Sequence, residues 1–86
     1  MDSLEFENNL KINLVTSVDL MFYHDLLKKF KASGGSQEKA YSIVNSILDN
    51  YMGKNEDIED LVREILDFIT GWCQKDMKVW ENTLNI

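Results

Sequence analysis

From Ser36 onward, apolar residues recur at Ala40, Ile43, Val44, Ile47, Leu48 and Tyr51, the three-four spacing of a helix with one buried face. Ser36 is a good N-cap residue, and Gly53 stands where a left-handed C-cap would fall. A second run of the same kind starts after Asn55, another capping residue, with Ile58, Leu61, Val62, Ile65, Leu66, Phe68, Ile69, Trp72 and Cys73. At about 100° per residue these positions cover an arc of roughly 160°, wide enough to touch two neighbours. The pattern makes this the central helix of the fold.

Upstream, Leu20, Tyr23, Leu27 and Phe30 form an apolar row, with Phe22 and Leu26 beside it and Ser17 as the expected N-cap. Lys28, Lys29 and Lys31 precede Gly34-Gly35, where cations are favoured by a helix C-terminus without any ligand. At the start, Phe6, Leu10 and Leu14 fit a helix, whereas Leu10, Ile12 and Leu14 alternate with polar residues as a strand would. A lone hairpin without a third strand is marginal, so helix is preferred. The tail keeps helical spacing through Met77, Trp80 and Leu84. One helix over 56–84 would run about 43 Å, so a break or kink is expected near Gly71 to Lys75.

These runs predict helices roughly at 3–14, 17–32, 36–52, 55–72 and 76–84. The expected fold class is all-α, a small four- or five-helix bundle in a single domain spanning 1–86. A chain of 86 residues has room for one modest core, and its stability should be marginal unless a partner adds buried area.

Charge narrows the function. Fifteen Asp and Glu face nine Lys and Arg, for a net charge of −6. Residues 44–86 hold nine of the acids and four of the bases, so most of the imbalance lies in the second half. Phosphate binding depends on clustered Lys and Arg, which disfavours nucleic acid as a partner and favours a basic protein. The acidic start MDSLEFENNLK is unlike a signal peptide, and no apolar run reaches the length of a membrane span. With a single cysteine, Cys73, an intramolecular disulfide is impossible. The expectation is a cytoplasmic protein without a membrane segment.

Candidate chemistry is sparse. Cys73 and His24 could in principle form a thiol-imidazole dyad, but no glycine-rich turn or oxyanion donor accompanies them, and a buried structural thiol is the plainer reading. One Cys and one His cannot build the usual zinc sets, and Asp57, Asp60 and Glu64 lack the glycine-containing loop of a calcium site. No enzyme activity, metal or cofactor is expected. Asp2-Ser3-Leu4-Glu5 resembles the DSL motif of acyl carrier proteins, also small, acidic and helical, in which the serine would carry a phosphopantetheine arm. That family's motif follows a full helix and a long loop, whereas here it begins at residue 2, and Ser3 is read instead as a helix N-cap.

The stretch EDIEDLVREILDF, residues 56–68, carries the strongest functional signal. Glu56, Asp60, Glu64 and Asp67 fall together on the helical wheel, opposite the apolar arc, with Asp57 and Glu59 on the flanks. First-turn acids favour the helix dipole and Glu59 can pair with Arg63. Neither effect accounts for Glu64 and Asp67. A solvated face is one reading. The other is a carboxylate row, edged by Tyr51, Trp72 or Trp80, that docks on a basic protein. In size and acidity the chain resembles the helical immunity proteins with which bacteria neutralise nuclease toxins. This is a similarity of class without the residue motif of the colicin immunity family. The expectation is a stoichiometric inhibitor of a basic partner such as a bacterial nuclease toxin, with Glu56, Asp57, Asp60, Glu64, Asp67, Tyr51, Trp72 and Trp80 as partner-binding residues. The alternatives are a secretion chaperone or adaptor with an apolar groove, or a structural or regulatory homodimer using the wide apolar arc and the Trp-rich tail.

Overall fold

The computed structural model of the chain describes residues 1–16 and 19–84. Four helices follow in order, α1 (Ser3–Leu14), α2 (Leu20–Ala32), α3 (Gln37–Tyr51) and α4 (Glu56–Thr70), then a single 3-10 turn at Lys75–Met77. An irregular strap continues to Leu84, and no strand occurs among the described residues. The fold is a small all-α bundle of four helices.

Capping residues set most of the boundaries. Ser36 accepts from the Lys39 amide at 3.1 Å and Asn55 from the Ile58 amide at 3.2 Å, each filling an orphan donor of the first turn as expected. At α1 the cap is Asp2, which accepts from the Glu5 amide at 2.8 Å. Ser3 is therefore the first helical residue and not the cap, since the two side chains cap equally well and Asp2 is the one that reaches the amide. Asp19, in extended conformation, caps the Met21 amide at 3.1 Å. That starts α2 at Leu20 and not at residue 17; the Ser17 cap lies outside the described residues.

The apolar arc of α4 packs against α3 on one side and α2 on the other, while α1 lies across α2 and α3. Val62, Ile65 and Ile69 are fully buried, joined by Tyr23, Leu27 and Phe30 from α2 and Val44 and Ile47 from α3. Phe6, Leu10 and Leu14 bury the inner face of α1, which settles the helix-or-strand alternative there in favour of helix. Phe22 does not join this core. It is exposed, with its ring edge-on to Tyr23 at 5.2 Å.

The expected break falls at Gly71, whose φ of +92° places it in the left-handed region while its amide donates to Asp67. Only glycine takes that conformation without strain. The expected fifth helix over 76–84 does not form. After the Lys75–Met77 turn the backbone extends at Lys78 and returns along the end of α4, with Val79 N donating to Phe68 O at 3.4 Å and Leu84 N to Thr70 O at 2.8 Å. Side chains from elsewhere bind the strap. His24 Nε2 bonds Met77 O at 3.1 Å, Lys31 Nζ donates to Val79 O at 2.9 Å, and Gln37 Nε2 donates to Asn82 O at 2.7 Å. These bonds replace the ladder that an isolated helix of two turns could hardly sustain. Val79, outside the expected apolar row, is the strap's buried residue.

Candidate functional site

The register of α4 that buries Ile58, Leu61, Val62, Ile65, Phe68 and Ile69 necessarily turns Glu56, Asp57, Asp60, Glu64 and Asp67 outward. All five carboxylates are exposed. From Glu56 to Asp67 the row runs about 16 Å along the helix. Its only cation, Arg63, stands 3.5 Å from Glu59 and 3.5 Å from Asp60. Glu59 is largely shielded while Arg63 and Asp60 are exposed, and contacts as long as these within one surface helix contribute at most about 1 kcal/mol. Among the described residues, no ion pair joins Glu56, Asp57, Glu64 or Asp67.

Asp67 differs from the others. Partial shielding of its carboxyl from solvent raises its pKa above the ordinary carboxylate value, because a charge is harder to hold where water is reduced. The same corner holds Cys73, whose thiol is pushed up by burial first and then by the charge of Asp67, partly offset by Lys78. Cys73 is half-buried and packs on the core. A thiol held protonated in this way is a poor nucleophile.

His24 is engaged elsewhere. Its ring bonds the Met77 carbonyl and stands edge-on to Phe68 at 5.1 Å. Since a carbonyl only accepts, Nε2 carries the hydrogen, and the buried Nδ1 has no hydrogen-bond partner among the described residues. Among the described residues, no group of three or more His, Cys, Asp or Glu is placed to hold a metal ion. No helix among them is long and apolar enough to cross a membrane.

The three expected aromatics have separate surroundings. Tyr51 ends α3, half-buried, and its carbonyl accepts from Lys54 and Asn55 just ahead of α4. Trp72 follows the Gly71 cap and is 65% exposed. It was expected on the apolar arc, but α4 stops at Thr70 and releases it. Tyr51 thus comes before α4 and Trp72 directly after it, the first packed against the core and the second exposed. Trp80 is half-buried against the core and lines a cavity with Lys31, Lys75 and Lys78. Sequence reasoning missed this basic cavity, and also the role of Gln37, a buried side chain that ties α3 to α4 and the strap. The only local signal for Gln37 was an amide one residue inside a helix N-terminus.

Comparison with known proteins found no matching family model, no matching curated protein and no matching solved structure.

Proposed function

We propose that the protein is a non-catalytic binding protein whose α4 carboxylate face docks on a basic protein, acting as a stoichiometric inhibitor of immunity-protein type. The observation that carries this reading is the single helix face on which Glu56, Asp57, Asp60, Glu64 and Asp67 are exposed together with one arginine to answer them. Complementary charge accelerates encounter by about 10- to 1000-fold and sets register. Exposed Trp72 supplies the kind of aromatic anchor that holds a docked partner. A nuclease toxin is the partner class that fits, because a site built for phosphates is itself basic. The carboxylates would stand in for phosphates and block substrate by occupancy.

The test is the association rate of the complex as a function of ionic strength. An acidic-face complex slows steeply as salt rises, since the screening length is about 10 Å at 0.1 M. An unchanged rate argues against the proposal.

A second reading draws on α1. Leu4, Ile12 and Val15 are each more than half exposed and lie on the side of α1 opposite Phe6, Leu10 and Leu14. The wide arc of α4 is consumed inside the bundle, which leaves this outer face of α1 as one apolar surface open to a homodimer or to a chaperone's client, in addition to exposed Trp72.

A further inference from the structure

Beyond the acidic face, the molecule gathers positive charge in one place. Lys31, Lys75, Lys78, Val79, Trp80 and Glu81 line a cavity of about 480 Å³. Three ammonium groups against one carboxylate make this pocket cationic on a chain whose net charge is −6. Two elements distant in sequence build it, the last turn of α2 and the strap that replaces a fifth helix. Lys75 and Lys78 are three residues apart across the 3-10 turn, a spacing that stacks side chains on one side. Among the described residues no carboxylate pairs with Lys31, Lys75 or Lys78.

Two of these ammonium groups are already oriented. Lys31 Nζ donates to Val79 O at 2.9 Å and Lys78 Nζ to Thr83 Oγ1 at 3.2 Å. Each acceptor is neutral, so the charge stays available, and each ammonium keeps two further hydrogens. The aliphatic stem of Lys78 rests over Gly71, whose missing Cβ leaves that space. Such anchoring lowers the entropy lost when an anion binds.

We propose that this cavity binds a small phosphorylated compound with a planar ring, of mononucleotide size. A phosphate dianion uses more than one ammonium group, whereas a single carboxylate would leave lysines unmatched. Trp80 offers a ring for stacking. The volume falls within the range of small-molecule sites. A nucleic acid polymer is disfavoured because it would also meet the unpaired carboxylates of α4.

The test is titration of the isolated protein with adenosine 5′-monophosphate, adenosine and inorganic phosphate, read by amide-resolved NMR. The nucleotide should give saturable shifts centred on residues 75–81 and Lys31, and adenosine and phosphate should each bind more weakly. The Lys75→Met/Lys78→Met variant should lose at least about tenfold in nucleotide affinity. Lys75→Met alone, an exposed position, serves if the double variant fails to fold, and should also weaken binding. Absence of saturation, nucleotide affinity unchanged by removal of the lysines, equal affinity for phosphate and nucleotide, or tighter binding of an oligonucleotide would each overturn the proposal.

Discussion

The side-chain amide of Gln37 donates to the carbonyl of Ile69 at 2.8 Å, and the same nitrogen donates to Asn82 at 2.7 Å. One buried residue at the start of α3 thereby satisfies the end of α4 and holds down the strap. Removing it strands the Ile69 carbonyl away from water. Gln37→Ala should cost about 2–3 kcal/mol, visible as a lower urea midpoint. The amides of residues 79–84 should exchange faster with solvent in the variant. A midpoint equal to that of the wild type would mean that the clamp contributes nothing.

Gly35 lies directly over the Phe30 ring, so a Cβ there would come within 2.4 Å of the ring edge. That ring cannot retreat, because its other neighbour is Phe6, stacked at 4.4 Å between centroids and 12° from parallel. Overpacking of this kind costs about 1–3 kcal/mol. Gly35→Ala should lower the melting temperature accordingly, and Phe6→Leu in the same chain should recover part of the loss by making room. Without such recovery the clash is not the cause.

How much of this was legible beforehand depended on where the information lay. The inward faces of α3 and α4 were readable because each helix carries its own three-four pattern, and the Ser36 and Asn55 caps stand directly ahead of those runs, whereas Leu10, Ile12 and Leu14 of α1 also fitted an alternating strand. The exposure of the carboxylate row followed from the same register. The fate of the tail was not legible. Met77, Trp80 and Leu84 repeat at helical spacing, yet their backbone is bound by His24, Lys31 and Gln37, residues more than forty positions away. Local pattern carries no trace of such partners. For the same reason the lysine cavity was invisible, as Lys31 on its own is explained by the end of its helix.

The acidic face should trade stability for its charge. Because shielding raises the Asp67 pKa in the folded state, the protonated form is favoured by folding. That contribution is fully present below the unfolded carboxylate pKa and is lost as pH rises through the raised folded value. At neutral pH the ionised Asp67 therefore weakens the fold slightly. Asp67→Asn should melt higher than the wild type at neutral pH, with the difference shrinking toward acid. A gap that stays constant with pH would contradict this origin.

Cys73 offers a reporter of the same corner. Its thiol pKa is raised by burial and by Asp67, so alkylation should be slow near neutrality and accelerate only at higher pH than for an unshielded thiol. Asp67→Asn removes one of the raising causes, and its alkylation profile should move to lower pH. If the profile stays in place, the two side chains do not interact.

The outer face of α1 separates the homodimer reading from the acidic-face reading. Leu4→Lys with Ile12→Lys changes only exposed positions and should leave the melting temperature nearly unchanged. If copies pair through α1, sedimentation should show a concentration-dependent dimer for the wild type and a monomer for the variant. An acidic-face inhibitor should sediment identically with and without the substitutions.

The central claim is tested most directly by capturing partners from native cell lysate on the immobilised wild type and the Glu64→Lys/Asp67→Lys variant, side by side at low and high salt. Both substituted residues are exposed, so the variant should fold as the wild type does, which circular dichroism checks. A basic protein retained by the wild type at low salt, and lost both at high salt and in the variant, is the expected result. Equal retention of that protein by the two chains, whatever the salt, would contradict an acidic docking face.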